Sequence, residues 1–145
     1  MEYQVGNTGR VIAMRLSEGD DLYESVESVA RKENIRAAAV FITGGFRRAN
    51  VVVGPRTETP KIEPDFRQFV GPGEVLGVGT IYWDDEGPSM HLHASIGKGS
   101  DVMTGCPRGG AKVFLVLEVT IIEITGVNGK RLLDDSTGFR LLKFL

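Results

Sequence analysis

The sequence predicts a strand-rich domain with a single main helix, and three observations carry that prediction. Glycine supplies 19 of the 145 residues, about twice the usual share of roughly 7%, without the three-residue period of collagen. Such a chain needs many turns and bulges. Only one stretch repeats its apolar residues at helical spacing, with Leu22, Val26, Val29 and Ala30 on one face. Several other segments are short, apolar or alternating, and are separated by turn residues, which is the pattern of strands.

Taken in order, Val11 to Leu16 reads as a strand running into Glu18-Gly19-Asp20-Asp21. Asp20 or Asp21 can accept hydrogen bonds from the orphan N–H groups of a first helical turn, and Asp21 with Glu24 has capping-box spacing. The helix is expected to reach about Glu33, with Glu27 and Arg31 as an i,i+4 pair. Ala37 to Thr43 is a second strand, closed by Gly44-Gly45, and Ala49 to Val53 is a third. Residues 54 to 73 hold Pro55, Pro60, Pro64 and Pro72, so a long loop is expected there. Gly73 to Tyr82 resumes as a strand, weakened or bulged at Gly77 and Gly79. After an acidic turn, Met90 to Ile96 alternates cleanly, and Gly97 to Gly110 reads as a glycine-rich connection.

Lys112 to Ile124 is the strongest strand. Val113, Leu115, Leu117, Val119 and Ile121 share one face, while Phe114, Val116, Ile122 and Ile124 make much of the other face apolar, so burial on both sides is expected. Asn128-Gly129 is a type I′ hairpin signal, with a last strand ending near Phe144. With no internal repeat and no change of composition, residues 1–145 read as one domain.

Composition narrows the function classes. One cysteine cannot form an internal disulfide, which excludes the disulfide-rich secreted class and makes a reducing cytoplasm the default compartment. The net charge of −2 and a pI near 5.7 argue against non-specific duplex binding, which depends on clustered Lys and Arg. No apolar stretch is long enough to span a membrane, and the first residues are polar and acidic where a signal peptide is basic and then apolar. A soluble, untargeted protein is expected.

The sharpest chemical feature is Met90-His91-Leu92-His93-Ala94-Ser95-Ile96. On a strand the four apolar residues share one face, which places His91, His93 and Ser95 together on the other. The only cysteine, Cys106, follows in a Thr104-Gly105-Cys106-Pro107 turn. Two imidazoles and a thiol suit zinc or a similar divalent ion, and three protein ligands leave a fourth position for water or a small anion. The plainer alternative is a solvated His pair and a small buried thiol. Glu118, embedded in the strongest strand, is a candidate carboxylate behind an imidazole N–H or general base near the metal, or a strand charge paired with Arg or Lys. Thr43-Gly44-Gly45 lacks the remaining residues of any phosphate-loop motif. Arg10 and Arg15 could bind an anion or simply be solvated.

As a whole the sequence resembles the plants-and-prokaryotes conserved (PPC or PCC) domain family. The resemblance is carried by Gly19-Asp20-Asp21-Leu22, the strand pair within Ala37 to Val53, Glu74-Val75-Leu76, His91-Leu92-His93, and a long strand with embedded Glu118. Where the family has a Gly-Gly-His-Leu turn, this chain has Thr104-Gly105-Cys106-Pro107, so one metal-ligand type replaces another. The resemblance implies an α+β fold, a mostly antiparallel sheet with one main helix, assembled as a homotrimer. It implies a metal site of His91, His93 and Cys106, with Glu118 nearby. Plant members carry Arg-Gly-Arg-Pro hooks for the minor groove; Pro107-Arg108-Gly109-Gly110 is only a fragment of one. Direct DNA binding is therefore not expected, and a DNA-associated or protein-interaction module is the competing reading.

Overall fold

Asp21 caps the helix as its spacing predicts. Its carboxylate accepts from the backbone N–H groups of Tyr23 and Glu24, two of the orphan donors of the first turn. The computed structural model describes residues 1–58 and 61–145. Along the chain lie β1 (Asn7–Ser17), α1 (Leu22–Lys32), β2 (Ala37–Thr57), β3 (Glu63–Trp83) and β4 (Pro88–Lys98). β5 (Asp101–Pro107), β6 (Lys112–Thr125), β7 (Gly129–Asp134) and β8 (Phe139–Phe144) follow. The strands form one sheet in the order β1-β6-β2-β5-β4-β3-β7-β8, with β2 also paired to β3. Among the described residues all pairings are antiparallel except a single parallel bridge, Trp83 to Lys130. The fold is thus α+β, a mostly antiparallel sheet with one helix. No helix among the described residues is long and apolar enough to cross a membrane.

Leu22, Val26 and Ala30 bury the inner face of α1 in the core that also holds Leu92, Ile96, Val119 and Ile121 of the sheet. The expected Glu27–Arg31 pair does not form. Glu27 instead accepts the Met90 N–H at 2.8 Å, and Arg31 donates to the Glu86 carbonyl.

Several expected boundaries are corrected by pairing between distant segments. Gly44-Gly45 does not end a strand: it lies inside β2, between β3 and β6, with Gly44 opposite both Val75 and Leu117. Its N–H groups thus belong to the sheet, which removes any phosphate-loop reading. The expected loop at 54 to 73 is mostly a two-stranded arm. β2 and β3 stay paired from Arg48↔Val70 out to Thr57↔Glu63, and Pro55 and Pro64 face each other between register shifts, where a missing N–H breaks no ladder bond. Pro60 lies outside the described residues. Residues 97 to 110 are not a plain connection but contain β5, paired to β4. Asn128-Gly129 does not form a hairpin with β6; the hairpin joins β7 to β8.

Gly77 and Gly79 are not bulges. Both keep the β3–β4 register, and a Cβ at Gly79 would lie 2.5 Å from the His91 carbonyl oxygen. Close strand approach is the reason for glycine there. In β6 the alternation breaks at Leu115, which has φ +59° and is 68% exposed, while Val113, Leu117, Val119 and Ile121 are buried. The register jumps from Gly44↔Leu117 to Gly45↔Phe114, so two extra residues bulge out of the strand. Glu18 holds the bulge by accepting the Leu115 N–H at 2.6 Å, and Arg47 in turn pairs with Glu18 at 2.5 Å.

Candidate metal centre

The β4 pleat sends Met90, Leu92, Ala94 and Ile96 into the core and His91 and His93 to the outer face. The two Nε2 atoms lie 3.2 Å apart, with the rings at 75° to each other. Cys106 reaches the same place from β5 and is no turn residue. Ala94↔Gly105 sets the β4–β5 register, and Val52↔Cys106 joins β5 to the far half of β2. Since β2 also pairs with β3, and β3 with β4, the strands β2, β3, β4 and β5 close a circuit that carries the thiol to the imidazoles. The ligand atoms of His91, His93 and Cys106 all lie within 4.8 Å of one another. Tyr23 ties α1 to this strand end by donating its hydroxyl to the Pro107 carbonyl.

The donor set fits a tetrahedral ion. Two imidazole nitrogens, each about 2.0–2.1 Å from a shared zinc, would stand about 3.3–3.4 Å apart. The observed 3.2 Å is close to that. Although His91 keeps an exposed edge, enclosure of its ring lowers its pKa to about 4, helped by the charges of Arg131, His93 and Arg108. It is neutral at pH 7 and its lone pair is free to ligate. Cys106 is 3% exposed, and burial pushes its thiol pKa up, opposed by Arg108 and by the Leu92 N–H. A cation at the sulfur would reverse that preference.

Ser95 shares the outer face but is occupied, its Oγ 2.6 Å from Thr104 Oγ1. Glu118 does not join the cluster. It is exposed on β6 opposite Arg15 and Thr43. With β2 and β3 between β6 and β4, three strand spacings amount to about 14 Å. Arg10 is committed to Glu123 at 2.9 Å and to Glu33 at 3.2 Å, so it is not an open anion site.

The cluster floors a cavity of about 430 Å³ whose far wall is the arm, through Val53, Pro55, Ile62 and Pro64. An adjoining cavity of about 360 Å³ is bounded by Arg108, Arg131 and Arg140. Arg131 and Phe139 belong to the last two strands, and nothing in their local sequence singles them out, because both look like ordinary strand residues.

The family model described as the Plants and Prokaryotes Conserved (PCC) domain matches residues 3–125. The chain belongs to this family. Among solved structures, this PCC domain is similar to a metal-containing protein from Archaeoglobus fulgidus. The TM-score is 0.86 at 25% identity, covering 100% of this chain and 99% of that one. A plant- and prokaryote-conserved protein from Pyrococcus horikoshii gives a TM-score of 0.86 at 24% identity, with 100% and 99% coverage. A presumed DNA-binding protein from Ralstonia eutropha JMP134 gives 0.76 at 21% identity, with 92% and 90% coverage. A comparison with curated proteins found no match.

Proposed function

We propose that this PCC protein is a homotrimeric zinc-binding protein of a reducing cytoplasm, in which His91, His93 and Cys106 hold the ion beside a small-molecule cavity. One observation carries the reading: three ligand atoms of the right types, from two strands and with no fourth protein ligand among the described residues, converge within 4.8 Å. The metal-containing relative from Archaeoglobus fulgidus supports it. A zinc ion held by three protein ligands supplies a Lewis-acidic fourth position for a water or an anion. The chain's own contribution is to orient the imidazoles from one rigid strand, keep His91 unprotonated, and shield the thiol.

Metal analysis tests this directly. Protein purified without chelators is expected to carry, or to take up from added Zn²⁺, one ion per chain. Alkylation of Cys106 is expected to be slow in the loaded protein and faster after chelation. Protein that neither contains nor takes up stoichiometric metal would sink the reading.

The trimer rests on an apolar outer face. The residues expected to form it, Phe114, Val116, Ile122 and Ile124 of β6, are half-buried. More exposed apolar surface lies on the neighbouring strands, where Phe41 is 42%, Val78 56% and Leu76 68% exposed side by side. That is a patch for a partner to cover. Light scattering is expected to give about three times the 15.8 kDa subunit mass. Leu76→Lys, with a charge in the covered patch, is expected to shift the mass to that of one subunit; a native protein already of that mass would rule the trimer out.

The competing reading, a DNA-associated or protein-interaction module, draws support from the name of the Ralstonia eutropha relative. Submicromolar duplex affinity at near-physiological salt, without a partner, would favour it over the metal role.

A further inference from the structure

The two cavities beside the cluster share His91, Arg108 and Phe139, so they are chambers of one site. Their walls differ in chemistry. The arm lines one chamber with aliphatic and proline side chains, and Arg108, Arg131 and Arg140 line the other. No Asp or Glu lines either chamber among the described residues. None of the three arginines forms an ion pair among those residues.

Arg131 is the telling residue. It is only 6% exposed, yet no carboxylate among the described residues pairs with it. Its Nε donates to the Ser89 carbonyl at 3.2 Å, and its Nη2 to the Thr80 carbonyl at 3.3 Å and to Thr80 Oγ1 at 2.9 Å. The Tyr82 ring lies 5.8 Å from the guanidinium carbon. Asp84, the acid whose charge it feels, spends its carboxylate on the N–H groups of Glu86 and Gly87. Nη1 has no hydrogen-bond partner among the described residues. A buried guanidinium held by neutral acceptors in the wall of a cavity is costly when isolated. The same arrangement is preorganised for the planar oxygens of a carboxylate or phosphate.

We infer that this site takes a small organic oxyanion with an apolar body, its charged end held by Arg131 and Arg108 and its apolar end against the arm. The inference deepens the metal reading and rests on it for one further contact of that same charged end, the open position at His91, which lines both chambers, His93 and Cys106. It excludes cations and uncharged alcohols of the same shape, because either leaves Arg131 without an ion pair.

Calorimetric titration of the zinc-loaded protein with octanoate, octyl phosphate, octanol and octylamine tests it, with zinc content counted in each sample. Octanoate or octyl phosphate is expected to bind at least tenfold more tightly than octanol, and octylamine not at all. The stronger of the two acids identifies the ligand as a carboxylate or a phosphate ester. Arg108→Gln, at an exposed position, is expected to weaken that acid by roughly tenfold with zinc content unchanged, the usual size of a charged hydrogen bond. Arg131→Lys keeps the buried charge but loses the fork, and is expected to weaken it similarly. Octanol binding as tightly as octanoate, or acid binding indifferent to both substitutions, would overturn the inference. Zinc retained without any acid binding overturns it alone and leaves the metal reading standing. Acid selectivity without zinc uptake overturns the metal reading and leaves the arginine site supported.

Discussion

His93→Ala is expected to abolish stoichiometric zinc binding while the domain stays folded. The imidazole projects from the outer face of β4, whereas Leu92, Ala94 and Ile96 on the inner face hold the strand in the core. Removing it leaves two ligands for the ion. Losing even an outer-shell partner typically costs about 10–100-fold in metal affinity, so a directly ligating residue should cost at least the upper end of that range. Competition with a chromophoric chelator measures the affinity, and circular dichroism reports the fold. The same pair of proteins gives a stability readout. Zinc at 100 times its dissociation constant stabilises the wild type by about 2.7 kcal/mol, because it binds the folded chain only. That increment should vanish in the variant, whose thermal midpoint should match the chelated wild type. A variant that still carries one zinc per chain would remove His93 from the ligand set. One that is unfolded even without metal would show that β4 depends on the imidazole for its packing.

Gly44→Ala is expected to be the most damaging single-methyl change in the fold. At φ +141° the backbone is in a region that side chains rarely adopt, and an added Cβ would sit 2.4 Å from the Val116 carbonyl oxygen. Backbone strain of about 1–3 kcal/mol adds to about 1–3 kcal/mol of overpacking, and the obstacle is backbone that cannot rotate away. A loss of about 2–6 kcal/mol is a large part of the roughly 5–15 kcal/mol that holds such a domain folded. Gly109→Ala is the internal control, since nothing lies within 4 Å of its added Cβ and its φ is not positive. Urea unfolding should show a much lower midpoint for the first and little change for the second. Equal midpoints would mean that the β6 bulge relaxes around the methyl group.

The bulge also shows where reading the chain alone runs out. Strict alternation put Leu115 in the core beside Val113 and Leu117. The two-residue shift opposite Gly44 and Gly45 turns it to solvent, and only the pairing of β6 with a distant strand creates that shift. The arm has the same origin. Proline and charge between residues 54 and 73 point locally to a loop, yet β2 and β3 satisfy each other's backbone along most of it.

What the sequence determined by itself is local in origin. The helix and its Asp21 cap follow from side-chain oxygens within reach of their own first turn, and the shared outward face of His91 and His93 follows from the two-residue period of any strand. Tertiary structure alone decided the rest. Cys106 meets the imidazoles because β5 pairs with both β4 and the far half of β2, while Glu118 stays three strands away. Arg131 comes to the cavity from β7, brought by hydrogen bonds to Thr80 and Ser89. These placements depend on register between segments far apart in the chain, and register is chosen by the packing of the whole sheet, not by the residues on either side of each group.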